Sequence, residues 1–294
     1  MRYAFIQEQQ KAYPVKLLCE VMQVNRSSYY KYLEKLGYPK RDEARLLVEV
    51  KALHSQSKSS YGSRRISKGL QGKGYDIGRY RARRLMRQAG VECKQRRRYR
   101  VTTQSDHRLP VAANQLNREF NVAVPNRVWA TDITYLWTQE GWLYIAAVLD
   151  LYSRRIVGWS IAKHMRTELI SDALLMAIGR RQPSGNLLHH SDRGSQYARA
   201  DYQAILARYG IQVSMSRKGN CWDNAVMERF FGSLKSERTD DKNYLTREQA
   251  KADVIDYIEM FYNSQRLHSS LNYISPMQFE KLNEISFKKV SIFT

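Results

Sequence analysis

Three acidic residues lie where their carboxylates could act together. Asp132 lies inside an alternating, otherwise apolar segment, 128–135, where a charge is costly unless a cation or hydrogen bonds offset its desolvation. Asp192 follows a short apolar segment, and Glu228 lies in a segment with helical spacing. Taken singly, each acid is better explained by a salt bridge or a helix cap. As an ordered set, the three predict a site for two divalent cations, Mg²⁺ or Mn²⁺, that would serve in-line attack on a phosphodiester.

The elements that position these acids follow from the spacing of apolar residues. Strands are predicted at 128–135, 143–149, 155–161, 186–190 and 211–215, and helices at 167–179, 200–209 and 223–237. Three successive strands followed by alternating helices and strands are typical of an α/β, ribonuclease-H-like fold, a mixed sheet with helices on both faces. In that fold the first strand neighbours the fourth, and the last helix packs across them. We therefore expect the three carboxylates to converge.

The helix that carries Glu228 presents further polar residues. Asn224 lies one turn before Glu228 and Lys235 lies two turns after it, so the three side chains share a face. Lys235 could hold a DNA phosphate near the cations; the alternative is an exposed lysine on an amphipathic helix. Arg217 and Lys218 precede this helix in a basic loop and are candidate DNA contacts for the same reason.

The charge of the chain predicts a polyanionic partner, with nucleic acid first. Lys and Arg number 49 against 28 Asp and Glu, a net charge of +21. Residues 1–125 hold 27 of these cations and 10 acids, whereas residues 126–294 hold 22 and 18. The three cysteines lack disulfide or zinc-ligand spacing, and no apolar run is long enough to span a membrane. We therefore expect a cytoplasmic protein with a DNA-binding first half and no membrane partner.

The first half has the spacing of short helices. Helices at 15–22 and 28–33, joined by a tight turn, are typical of a small helix-turn-helix or of an ordinary helical hairpin. A second helical unit is predicted from 43–55, 64–70 and 77–88. Ten cations and one acid lie between residues 79 and 100, a density that favours phosphate contact over a solvated face. The candidate DNA contacts here are Arg64, Arg65, Arg79, Arg83, Arg84, Arg96, Arg97 and Arg98.

These patterns predict five segments. They are a helix-turn-helix-like unit at 1–40, a basic helical DNA-binding unit at 41–100, a linker at 101–125, the ribonuclease-H-like core at 126–240 and a helical extension at 241–294. Within the extension, residues 246–279 are expected to form mostly one long helix and a polar loop.

Several blocks of sequence resemble a known family. The blocks 129–135, 189–197 and 218–225 are similar to the integrase-like core of bacterial insertion-sequence transposases, and best to the second-frame protein of the insertion-sequence-three family. The acids lie 60 and 36 residues apart, which agrees with that family. The pattern from Tyr262 to Pro276 resembles its C-terminal signature, so the resemblance extends over nearly the whole chain.

The resemblance implies roles for individual residues. Asp132, Asp192 and Glu228 match the metal-binding triad, and Lys235 matches a basic residue that contacts DNA. The histidines before Asp192 would shape the site without binding metal. The activity implied is that of a DDE transposase, a polynucleotidyl transferase that exposes a 3′-hydroxyl at an element end and transfers that strand to another.

The resemblance also implies partners. These are double-stranded DNA, both as terminal inverted repeats and as target, and a second copy of the chain, in a dimer or larger assembly on DNA. An upstream-frame protein, separate or fused by frameshifting, is a further expected partner, and the setting is the bacterial nucleoid. The alternatives are a nuclease of the same fold that cuts without joining, and a non-catalytic DNA-binding regulator or subunit.

Overall fold

The computed structural model of the 294-residue chain describes residues 1–37, 40–94, 110–217 and 221–290. The predicted DNA contacts Arg96, Arg97, Arg98 and Lys218 lie outside the described residues, as does the first part of the predicted linker, 101–109.

A five-stranded mixed sheet forms the centre of the fold. Its strands are β1 (Val128–Thr138), β2 (Gly141–Asp150), β3 (Ile156–Ala162), β4 (Leu188–Ser191) and β5 (Gln212–Met215). Their order across the sheet is β3-β2-β1-β4-β5. Strands β1, β2 and β3 pair antiparallel, and β4 pairs parallel with both β1 and β5. The predicted ribonuclease-H-like α/β fold is confirmed, including the adjacency of the first and fourth strands.

Alternation along β1 supplies both faces of the sheet with core residues. Trp129 and Ile133 pack on the face covered by α7 (Thr167–Arg181) and α8 (Ala200–Arg208). Ala130 and Leu136 pack on the opposite face, under α9 (Ala225–Leu234) and α10 (Arg247–Ile255). Successive side chains of a strand point to opposite faces, so one strand can join two cores. β1 is therefore the central element against which the site is built.

A close approach between β3 and α7 requires glycine at position 158. A Cβ placed on Gly158 would lie 2.1 Å from the backbone oxygen of Ala173 and 2.8 Å from the Cβ of Ala177. No side chain fits at these distances, because backbone cannot yield as a flexible side chain does. Gly158 thus sets how closely the α7 layer packs on the sheet.

Two helical units precede the sheet. The first comprises α1 (Arg2–Gln9), α2 (Val15–Val21) and α3 (Arg26–Gly37), packed around a small core of Ile6, Leu18, Cys19 and Tyr29. The sequence does not predict α1 as a separate helix, since Ile6 is its one buried residue. The second unit comprises α4 (Lys40–Gln56), α5 (Ser63–Gly72) and α6 (Arg79–Gln88). Its apolar residues belong to the same cluster as the α9 and α10 face of the sheet, so this unit is packed against the core.

The C-terminal region contains the predicted long helix, part of it π-helical. Helix α9 continues as a π-helical turn at Lys235–Thr239, and α10 continues likewise through Asp256–Asn263. The chain then leaves the helical path, and α11 begins at Pro276 and ends at Val290. The expected long helix and polar loop over 246–279 are therefore present as residues 247–263 and 264–275, and the difference is that α11 already begins at Pro276. Asn272 and Tyr273 adopt left-handed backbone angles in this loop, shortly before the proline that starts α11.

Among the described residues, no helix combines the length and the apolar character that a membrane crossing needs.

Candidate active site

The sheet register brings the first two acids level with each other. Ala130 of β1 lies opposite His190 of β4 in a parallel pair, and Asp132 and Asp192 each follow two residues later. Neighbouring strands are about 5 Å apart, so the two carboxylates start from adjacent positions. Glu228 comes from α9, which packs against β1. Three separate elements therefore bring the predicted acids together.

The acids interact electrostatically. The pKa of Asp132 is raised well above its usual value by burial, and next by the negative charge of Asp192; the charge of Glu228 adds to the effect. The backbone N–H of Ile133 and the charge of Lys235 oppose this rise. Burial also raises the pKa of Glu228. The fold has thus placed like charges within reach of one another, which is costly without cations.

Backbone groups orient the carboxylates. The N–H of Ile133 donates to Asp132 Oδ1 at 2.8 Å, and the N–H of Gly194 donates to Asp192 Oδ1 at 2.9 Å. Asn224 is buried and donates from Nδ2 to the carbonyl oxygen of Thr131 at 3.2 Å, next to Asp132. Asn224 Oδ1 is buried and has no hydrogen-bond partner among the described residues. A fourth oxygen donor therefore lies beside the acids, one helical turn before Glu228.

These residues fit divalent cations in their chemistry. In the described part of the chain, no three His, Cys, Asp or Glu side chains stand as close together as metal ligands do. Bound cations would offset the mutual repulsion of the three acids. All four donors are hard oxygens, the class that Mg²⁺ and Mn²⁺ prefer. The donor set and the like charges of its acids both suit such ions.

The two histidines before Asp192 are engaged inside the protein. Tyr202 Oη and His189 Nε2 are hydrogen-bonded at 2.8 Å, and His190 Nδ1 and Nε2 lie 2.9 and 3.2 Å from the hydroxyls of Ser214 and Ser216. Burial lowers the pKa of His189 to about 3 and that of His190 to about 4, so both are neutral at pH 7. They tie β4 to α8 and β5, in keeping with a role in shaping the site.

The basic residues near the triad occupy different settings. Lys235 Nζ lies 5.3 Å from the centroid of the Tyr135 ring, and burial lowers the pKa of Lys235. Arg217 is held by Asp223, to which it donates from Nε at 2.9 Å and from Nη2 at 2.8 Å. Arg118 donates to the same buried carboxylate at 2.9 Å. Sequence reasoning missed Asp223, because an acid beside a basic loop gives no signal of burial.

Some predicted DNA contacts of the helical units are exposed, and others are hydrogen-bonded within the protein. Arg64, Arg79 and Arg83 are exposed, and the last two lie one turn apart on α6. Arg84 is exposed as well, with its guanidinium 3.9 Å from Glu43. By contrast, the Arg65 side chain extends from α5 to the C-terminal region, where it donates to Glu237 at 3.2 Å and to the carbonyl of Leu267 at 3.0 Å. Arg65 is thus used within the protein.

Comparison with known proteins gives the class first. Residues 123–221 and 228–283 match the integrase core domain family, and residues 40–99 match an HTH-like domain family. The chain therefore carries an integrase core preceded by a helix-turn-helix-like domain.

Two relatives then give the family. The chain is 41% identical to the transposase InsF for insertion sequence IS3A of Escherichia coli strain K12, over 96% of this chain and 99% of that protein. It is 44% identical to a 31 kDa protein of insertion element IS600 from Shigella sonnei, over 92% of this chain and 100% of that protein. Among solved structures, the HTLV-2 integrase catalytic core domain with magnesium has a TM-score of 0.42 and 19% identity, covering 53% of this chain and 97% of that one. The chain belongs to the IS3 family of insertion-sequence transposases, and the predicted resemblance is confirmed.

Proposed function

We propose that this chain binds the terminal inverted repeats of an insertion element and carries out cation-dependent DNA strand cleavage and strand transfer, with Asp132, Asp192 and Glu228 as its catalytic triad. The observation that carries this proposal is that the charges of Asp192, which follows β4, and of Glu228 on α9 both act on Asp132 of β1, in the integrase core of an IS3-family chain. Two Mg²⁺ or Mn²⁺ ions are the cofactors, held by the triad oxygens with Asn224 Oδ1 beside them.

The protein's own residues would bind and orient the reactants. When bound, the cations would activate a water or a 3′-hydroxyl and stabilise the leaving oxygen. The backbone N–H groups of Ile133 and Gly194 keep one oxygen of each aspartate fixed. Lys235, whose charge acts on Asp132, would hold a phosphate of the reacting strand. Loss of water from this partly buried site would strengthen each of these interactions.

The helical units would hold the element ends. The exposed arginines of α6 and the +17 balance of residues 1–125 suit contact with phosphates, which fixes register on the duplex. Strand transfer joins two ends, so a dimer or larger assembly on DNA is part of the proposal, as is cooperation with an upstream-frame protein. The place of action would be the bacterial cytoplasm, at the nucleoid.

The test is a strand-cleavage and joining assay with labelled duplexes that carry the ends of the insertion element encoding the chain. Wild type, Glu228→Gln and the control Glu168→Gln, an exposed glutamate of α7, are compared with Mg²⁺, with Mn²⁺ and with chelator. We expect cleavage and joining by wild type and the control, and neither by Glu228→Gln or in chelator. Cleavage without joining would indicate a nuclease, and repeat-specific binding without cleavage, also when the upstream-frame protein is added, would indicate a binding subunit. Either outcome would overturn the proposal.

A further inference from the structure

Aromatic side chains follow Asp132 along the β1–β2 hairpin. This aromatic strip consists of Tyr135, Trp137 and Trp142; Tyr135 is half-buried, and the two tryptophans are 56% and 44% exposed. The Trp142 ring packs edge-on against both others, with centroids 4.9 Å from Tyr135 and 4.8 Å from Trp137. Such contacts fix the rings relative to one another, while the exposure leaves part of each indole in solvent. The result is a rigid aromatic surface that the described chain does not cover.

The aromatic strip starts close to the triad. Tyr135 and Trp137 lie three and five residues beyond Asp132 on the same strand, about 10 and about 17 Å along it, and the odd spacing places them on the opposite face of β1 from Asp132. β4 pairs with β1 only as far as Ala130, so the residues of β1 that follow are not paired with β4. Lys235 connects the two faces there, since its Nζ lies 5.3 Å from the Tyr135 ring centroid and its charge acts on Asp132. A DNA strand bound at the triad would therefore reach the aromatic strip by passing Lys235 at the edge of β1.

A second cation lies at the far end of the hairpin. Arg247 donates from Nε to the carbonyl of Trp142 at 3.1 Å, and its Nη2 lies 2.9 Å from where a Cβ on Gly141 would stand. The backbone N–H of Arg247 is fixed by the carboxylate of Glu140 at 2.8 Å. Exposed rings between two cations form the surface that binds nucleic acid with unpaired bases, since every base can stack on a ring while cations contact the backbone.

We propose that the aromatic strip binds an unpaired stretch of the DNA strand that enters the triad, with bases stacked on Trp137 and Trp142 and phosphates near Lys235 and Arg247. The inference rests on the proposed function, because it requires DNA at the triad. Bases of an intact duplex stack on each other and cannot use the rings, so the aromatic strip selects DNA whose end is opened. It would stabilise the opened end during cleavage.

The test measures the binding of two probes to the full chain by fluorescence anisotropy: a fluorescein-labelled oligothymidine and a duplex of equal length. We expect the Trp137→Ala/Trp142→Ala variant to bind oligothymidine about tenfold more weakly, the loss of about one stacked base, with duplex binding changed less than about twofold. The Trp137→Phe/Trp142→Phe variant should retain binding. Tyr209→Ala, which removes an exposed ring at the end of α8, should bind both probes as wild type does.

A second measurement requires no loss of binding. Oligothymidine should quench tryptophan emission in wild type and in Tyr209→Ala, and the quenching should largely disappear in the phenylalanine variant although that variant still binds. Equal loss of both probes in the alanine variant would overturn the inference. So would unchanged binding together with a smaller assembly in sedimentation, which would make the aromatic strip a contact between copies.

Different experimental results would contradict the inference and the proposed function. Wild-type strand cleavage with no effect of the tryptophan variants on oligothymidine binding would overturn the aromatic strip alone. A selective loss of oligothymidine binding in a chain that cleaves no element end would overturn the transposase assignment and leave a single-strand binding surface.

Discussion

Two sets of acids in this chain have opposite electrostatic surroundings. The triad acids lie beside other acids, and burial and neighbouring negative charge raise the pKa of Asp132. The arginine-paired acids, Asp223, Glu237 and Glu280, lie beside guanidinium groups. Burial alone would raise the pKa of Glu237, but hydrogen bonds from Arg266 and its charge lower it overall.

The difference separates acids with a structural role from the acids proposed to be catalytic. Glu237 accepts two hydrogen bonds from Arg266 at 2.7 Å and one from Tyr257 at 2.9 Å, so its charge is balanced within the fold. The charge at Asp132 is not balanced in this way, because burial and the neighbouring carboxylate of Asp192 both raise the pKa of Asp132. Acids of the first kind hold elements together, whereas the surroundings of the second kind fit the cation-binding role proposed above.

Removing a triad charge should separate activity from stability. We expect Asp132→Asn to reduce strand cleavage by about 1,000-fold or more, because a cation ligand worth several kcal/mol to the transition state is lost. Its thermal midpoint should equal or exceed that of wild type, since repulsion from Asp192 is relieved. Cleavage assays and thermal denaturation without added metal measure the two effects.

Asp172→Asn, an exposed substitution on α7, is the matched control and should change neither quantity. A clear drop in the thermal midpoint of Asp132→Asn would break the comparison, because it would make Asp132 a structural acid.

Removing an arginine-paired charge should have the reverse effect on stability. Glu237→Gln leaves the buried Arg266 without its carboxylate, and we expect the free energy of unfolding to fall by about 3 kcal/mol. Glu248→Gln is the control, because its only described ion pair, with Lys251, is exposed, and the expected change is below about 0.5 kcal/mol. Urea denaturation of both variants measures the difference. Similar losses of unfolding free energy in the two variants would show that burial does not decide how much an ion-paired acid stabilises the fold.

The pH dependence of stability should come from the arginine-paired acids. Glu280 accepts from Arg181 and Arg155, and these groups lower its pKa below its usual value of 4.5, although burial opposes them. The folded chain then binds fewer protons than the unfolded chain, so stability present above about pH 4.5 is lost as the pH falls.

We expect urea denaturation to give a free energy of unfolding that falls as the pH drops below about 4.5, with part of the fall due to Glu280. Glu280→Gln should be less stable at the higher pH and show a shallower fall. An unchanged slope in this variant would remove Glu280 from the arginine-paired acids.

The sequence predicted the triad better than the arginine-paired acids for a physical reason. Alternating apolar residues establish strands, and strand order places Asp132 next to Asp192 with little further information. The Arg118–Asp223 and Arg65–Glu237 pairs join residues 105 and 172 positions apart in the sequence. The local spacing of residues cannot predict contacts over such separations. Net charge alone made Arg65 a candidate DNA contact, although the fold turns it towards Glu237.

The smallest expected effect tests whether burial, and not the number of ion pairs, distinguishes the two regions. Asp256 accepts from exposed Lys58 at 3.0 Å and from buried Arg238 at 2.5 Å, so two cations share one acceptor. We expect Lys58→Met to lower the free energy of unfolding by less than about 0.5 kcal/mol, because water and ions already screen the pair. In high salt this difference should disappear. Arg238→Met should cost about 3 kcal/mol at any salt concentration, because Asp253 also loses its buried partner. If both variants lost the same free energy of unfolding in urea, an ion pair with Asp256 would be equally stabilising whether it is exposed or buried. The Lys58 pair would then contribute to the docking of the α4–α6 unit.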